Sequence, residues 1–96
     1  MEKVSDLVHY QYGEALAGKD RNQEAIEHFK AVASLPNSSS ELVTRSHLRA
    51  GQLLDLLQRR NEAVAEYETV LQRDNVFDSH EQAKKYLKRP YTPSQG

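Results

Sequence analysis

No cysteine occurs among the 96 residues. A disulfide framework, a thiolate metal site and a cysteine nucleophile are therefore excluded, and the fold must hold by packing alone. Long apolar runs are missing too. None approaches the roughly 18 to 20 residues needed to cross a bilayer, and Met1-Glu2-Lys3 has no apolar signal core behind it. The expectation is a soluble chain with no membrane partner, cytoplasmic if this is its full length. Excess charge of one sign is also lacking: 13 Lys and Arg against 14 Asp and Glu leave a net charge of -1. No global field draws in nucleic acid or an anionic membrane. Four glycines and three prolines are few enough to serve as punctuation.

What remains is 38% hydrophobic and 28% charged, the balance of a small globular domain. A chain this short buries only about 60 to 65% of its unfolded surface, so most apolar residues are needed for the core. Val4, Leu7, Val8, Tyr12, Ala15 and Leu16 recur at helical spacing, and Gly18-Lys19-Asp20 breaks the pattern. A second stripe, Ala25, Ile26, Phe29, Val32 and Ala33, ends before Pro36. Ser38 with Glu41 has capping-box spacing and opens a third helix to about Leu57 through Leu42, Val43, Leu48, Ala50, Leu53 and Leu54. After the break at residues 58–61, Ala63, Val64, Tyr67, Val70 and Leu71 form a fourth stripe. Asp78 and Glu81 repeat the capping-box spacing ahead of a fifth helix through Ala83, Tyr86 and Leu87. The sequence predicts one domain over 1–88 and a flexible tail over 89–96. No segment alternates at period two, so the class is all-α.

The second helical pair is a copy of the first. A shift of 38 residues lays His9 on His47, Gly13 on Gly51, Leu16 on Leu54, Glu24-Ala25-Ile26 on Glu62-Ala63-Val64, Phe29 on Tyr67 and Val32 on Val70. A repeated two-helix unit of this length reads as a solenoid, each unit covering the apolar face its neighbour cannot bury alone. The segments Tyr12-Gly13-Glu14-Ala15-Leu16 and Glu24-Ala25-Ile26-Glu27-His28-Phe29 resemble the tetratricopeptide repeat. The resemblance spans about residues 6–88. It implies a right-handed solenoid of five antiparallel helices, with repeat one over 6–37, repeat two over 44–75 and a capping helix over 78–88. It also implies that Gly13, Gly51, Ala25 and Ala63 sit where helices cross, with Phe29 and Tyr67 filling the space beside them. The chain departs from the pattern in three ways. His9 and His47 replace a large aromatic, the closing proline is displaced to Pro36 or replaced by Asn75, and the period exceeds the usual one of about 34 residues.

Four histidines invite a metal or catalytic reading. His9 and His47 hold equivalent repeat positions, which a shared packing task explains. His28 lies one turn after Glu24, and His80 lies in the first turn of helix five. No HExxH, phosphate-binding glycine loop or Ser-His-Asp order is present. The expectation is no enzyme, no metal and no cofactor. Lys84, Lys85, Lys88 and Arg89 form a basic cluster, but cations at a helix C-terminus complement its dipole, so no nucleic-acid partner is read from them.

The resemblance implies that the first helices line a concave groove, and it carries that role onto Leu7, Tyr10, Gln11, Glu14 and Ala17. On helix three it carries the role to Arg45, Leu48, Arg49, Gln52, Asp55 and Leu56. Tyr10 and Leu48 lie off the stripe the core consumes, so they are expected to be solvent-accessible anchors beside Arg45 and Arg49. The competing reading is that they cover a neighbouring helix. The family's carboxylate-gripping subgroup uses Lys and Asn where this chain has Tyr10 and Glu14, so that clamp is absent. The implied function is a protein-interaction module that holds a peptide or helix. The alternative is self-assembly, as a homodimer or as a segment of a larger repeat protein, because two repeats fall short of the three or so a solenoid needs.

Overall fold

The computed structural model describes residues 5–93. Val4, placed above in the first apolar stripe, and residues 94–96 of the tail lie outside that range. The described residues form five helices and no strand: α1 (Asp6–Gly18), α2 (Asn22–Ser34), α3 (Ser40–Leu56), α4 (Arg60–Leu71) and α5 (Ser79–Lys88). Each packs against its sequence neighbours, and α1 and α5 also meet α3. None is long and apolar enough to cross a membrane.

Local chemistry sets the helix ends. Ser5 and Ser39 cap α1 and α3 by accepting from the amides of Val8 and Leu42, each at 3.1 Å. The predicted cap, Ser38, is one residue early because its hydroxyl is used on the other side of the turn, donating to the Val32 carbonyl at 2.6 Å. Asp78 does not cap α5 either. Its backbone is left-handed and its side chain makes no capping bond. Asn75 accepts from the His80 amide at 3.0 Å in its place, while the Ser79 hydroxyl accepts from the Val76 amide at 3.0 Å.

Within each hairpin a glycine admits a ring. A Cβ on Gly13 would lie 2.7 Å from the Phe29 ring, and one on Gly51 would lie 2.6 Å from the Tyr67 ring. Both rings are fully buried with Ala25, Ile26, Leu53, Leu54, Ala63 and Val70. Burying a side chain of this size contributes on the order of 1.5 to 3 kcal/mol, and the close helix approach needed to do so exists only where the facing residue has no Cβ. The same correspondence holds for the histidines. His9 Nδ1 faces His28 Nδ1 at 3.1 Å, and at the matching place in the second hairpin His47 Nδ1 faces Glu66 Oε1 at 2.6 Å. Each pair bridges the two helices of its hairpin. His28 therefore pairs with His9 and not with Glu24, which is held by Arg21 at 2.6 Å.

The predicted core face of α1 needs correction. Tyr10 and Gly13 are its buried residues, whereas Leu7, Val8, Tyr12 and Ala15 are exposed. The reason is position in the stack. Ser46, Ala50 and Leu53, the counterparts of Val8, Tyr12 and Ala15, are buried because α3 has α2 on one side and α4 on the other. No described helix covers the outward side of α1.

The tail expectation is corrected at Tyr91. Its amide donates to Asp55 Oδ2 at 2.9 Å, and its ring stands edge-on to Tyr86 with centroids 5.2 Å apart.

Candidate partner-binding groove

Between α1, α3 and the segment leading into α5 lies a groove of about 470 Å³. Tyr10, Glu14, Arg45, Leu48, Arg49 and Gln52 line it from α1 and α3, and Val76, Phe77, Ser79 and Gln82 close it from the other side. Two expected anchors turn out to be floor. Tyr10 is 9% exposed and Leu48 7%, and both belong to the core cluster. The Tyr10 ring meets Phe29 edge-on at 5.3 Å, so packing does require it, contrary to the reading from the apolar stripe. Burial, reinforced by the nearby Glu14 carboxylate, raises the Tyr10 hydroxyl above its ordinary pKa. The hydroxyl therefore stays protonated in ordinary buffers.

The two arginines differ in how fully they are used. Arg49 forms an ion pair with Glu14 at 3.0 Å, donates to Gln52 Oε1 at 2.7 Å and lies over the Phe29 ring. It joins α1 to α3 and serves the groove as a wall. Arg45 is about half exposed, and its one polar contact among the described residues is Glu41 at 3.7 Å, beyond hydrogen-bond range. Its guanidinium carbon lies 5.3 Å from the Tyr10 ring centroid and 5.8 Å from that of Phe77. Two aromatic rings thus hold the group in place while its N–H donors stay unspent.

Phe77 was not among the residues the sequence singled out. It is 71% exposed, and its backbone has φ 47°, followed by Asp78 at φ 62°. Two successive non-glycine residues in the left-handed region cost of order 1 to 3 kcal/mol each and persist only when their surroundings enforce them. The Asn75, Val76, Ser79 and His80 bonds do so, together with His80 Nε2, which donates to the Arg73 carbonyl at 2.6 Å. The available signal was an apolar pair, Val76-Phe77, inside an otherwise polar connector.

The remaining predicted positions lie elsewhere. Leu7 and Gln11 are exposed on α1 but do not line the groove, and neither do Ala17 and Leu56. Asp55 belongs to the interior. Its carboxylate accepts from the Tyr67 hydroxyl at 2.7 Å, from Arg60 at 3.1 Å and from the Tyr91 amide at 2.9 Å. Arg60 also donates to the carbonyls of Tyr86 and Leu87, so this carboxylate organises the C-terminal end of α5. A separate shallow depression gathers Lys84, Lys85, Lys88 and Arg89 around Glu81, with Lys85 Nζ over the Tyr86 ring. Among the described residues no group of three or more His, Asp or Glu is placed to hold a metal ion.

Residues 44–77 match the family model of the tetratricopeptide repeat. The match runs through α3 and α4 to Phe77, less than half of the chain, and the five-helix architecture agrees with it. No curated protein and no solved structure matches the chain significantly.

Proposed function

We propose, from the premise that residues 44–77 form a tetratricopeptide-type repeat, that this chain binds a peptide or helix of a protein partner in the groove between α1, α3 and α5. The family is in general a non-catalytic protein-interaction module, and the groove supports the finer reading. The observation that carries the reading is the groove's composition. A buried apolar floor of Tyr10 and Leu48 is flanked by an exposed aromatic and an arginine with free donors, the makeup of a binding hot spot. Three helices make a short groove, so a lone peptide should bind with micromolar affinity. The test is selection from a phage-displayed random dodecapeptide library, followed by NMR titration of the selected peptides into the ¹⁵N-labelled chain. Amide shifts concentrated at Tyr10, Arg45, Arg49, Phe77 and Gln82 are expected. Shifts confined to other surfaces would refute the groove.

One observation favours a second role, assembly through α1. Tyr12 is 57% exposed and Leu7 49%, with Val8 exposed beside them, although the α3 counterparts of Tyr12 and Val8, Ala50 and Ser46, are buried. Sedimentation velocity over a concentration range tests it. A dimer abolished by Tyr12→Glu supports assembly through this face, and a monomer at all concentrations removes it.

A further inference from the structure

The chemistry of Arg45 and Phe77 goes beyond a groove of unspecified preference. We infer that the groove selects partner segments in which an aspartate or glutamate side chain stands next to a large apolar side chain, the carboxylate docking on Arg45 and the apolar group on Phe77. The inference rests on the groove reading above and deepens it.

Three observations support it. First, the Arg45 guanidinium carbon lies over both the Tyr10 and Phe77 rings, 5.3 and 5.8 Å from their centroids, so two aromatic contacts favour its position before any ligand arrives. A planar guanidinium with no hydrogen bond to its N–H donors can meet a carboxylate in two-point fashion. Second, the groove's charges are unequally satisfied. Glu14 is consumed by Arg49, whereas Glu41, the carboxylate nearest Arg45, stays at 3.7 Å and half exposed. Arg45 is the lining cation without a hydrogen bond among the described residues, so charge complementarity points to an anion from outside. Third, Phe77 is presented on two successive left-handed residues and is 71% exposed. An exposed ring held at a cost in backbone energy beside a guanidinium that makes no hydrogen bond suits a ligand that brings apolar surface and negative charge together.

Glu41 is the built-in competitor for Arg45, and this makes the inference sharply testable. Peptides enriched from the dodecapeptide library should carry Asp or Glu adjacent to Leu, Ile, Met or an aromatic. One such peptide is synthesised with an amidated C-terminus beside its Asp→Asn or Glu→Gln twin, and both are titrated by fluorescence anisotropy. The acidic peptide should bind the parent chain about tenfold more tightly than its twin, as expected when a charge-assisted pair is replaced by a neutral one. The two should bind Arg45→Gln equally. Glu41→Gln should bind the acidic peptide a few-fold more tightly than the parent does, because the competitor is gone. Both substituted side chains are about half exposed, and circular dichroism melts check that the variants stay folded. Phe77→Gly should weaken both peptides alike while relieving backbone strain, so a higher melting temperature with lower affinity is expected. Peptides that map to the groove by NMR but show no acidic preference, or an acidic advantage that survives Arg45→Gln, would overturn the inference and leave the groove reading intact. If no selected peptide shifts the groove amides, the groove reading fails and the inference fails with it.

Discussion

Tyr67 and Phe29 occupy matching places, yet their freedom to move differs. The Tyr67 hydroxyl donates to Asp55, itself fixed by Arg60 and Tyr91, whereas the Phe29 ring has no polar atom to anchor it by a hydrogen bond. A methyl group added opposite each ring should therefore meet unequal resistance. In an open helix Gly→Ala gains about 1 kcal/mol of propensity. Here Gly51→Ala should reverse that sign and destabilise the chain by about 2 to 3 kcal/mol, with Gly13→Ala costing about 1 kcal/mol less because Phe29 can tilt. Urea denaturation of the two variants measures the difference. Gly51→Ala melting like the parent would show that the Tyr67 ring is not fixed. The glycine-ring pairings were legible in the sequence through the resemblance to the tetratricopeptide repeat, whose small and aromatic positions recur in both repeats. Asp55 was not, since its helical spacing fits a groove stripe as well as it fits the interior, and its partners lie 5, 12 and 36 residues away.

At the scale of elements, both hairpins turn in the same way. Asp20 has φ 61° and its counterpart Gln58 φ 62°. The amides of Arg21 and Arg59 donate to the carbonyls of Leu16 and Leu54, each at 2.9 Å. Arg21 and Arg59 then each grip a glutamate three residues on, Glu24 and Glu62. The hydrogen bond from Arg59 lowers the Glu62 carboxyl below its ordinary pKa. A left-handed residue just past a helix is the position that favours glycine, and aspartate tolerates it better than glutamine. Gln58→Gly should thus stabilise the chain by about 0.5 to 1 kcal/mol, and Asp20→Gly by less, the extra freedom of glycine in the unfolded chain offsetting part of the gain. A thermal melt reads this as a rise of a few degrees for Gln58→Gly. An unchanged or lower melting temperature would contradict a strained turn. The break after α3 was legible as a polar run, but its left-handed residue was not, because glutamine carries no turn signal.

For the whole molecule, the radius of gyration is 12.6 Å, close to the roughly 12.5 Å of a compact domain of this length. Such a small body depends on its buried tyrosines, and those give it an alkaline limit. Burial raises the hydroxyls of Tyr10, Tyr67 and Tyr86 above their ordinary value of 10.0, and for Tyr67 the hydrogen bond to Asp55 adds to it. The sign follows from proton counts. Above about pH 10 the unfolded chain releases these protons while the folded chain keeps them, so stability is full below that pH and declines above it. The slope approaches about 1.4 kcal/mol per pH unit for each proton so retained. Denaturation midpoints should be flat from pH 7 to about 9.5 and fall beyond 10. Tyr67→Phe should lower the plateau by about 1 to 2 kcal/mol, through loss of the Asp55 bond, and make the alkaline decline shallower. An identical decline in that variant would remove Tyr67 from the account.

The family resemblance implied the crossing of small residues against rings, and the sequence alone determined the helical class, the order of five helices and the 38-residue repetition. These follow from periodicity and short-range sterics, which act within a few turns of chain. Tertiary structure decided what depends on neighbours. It exposed Val8 and Tyr12 on α1 while burying their counterparts on α3, since coverage depends on what stacks alongside and not on the stripe itself. It drew Tyr10 and Leu48 into the floor of the groove and Asp55 behind it. It also brought Phe77 over Arg45, 32 residues away along the chain, because a connector with no periodicity takes its path from the helices it joins.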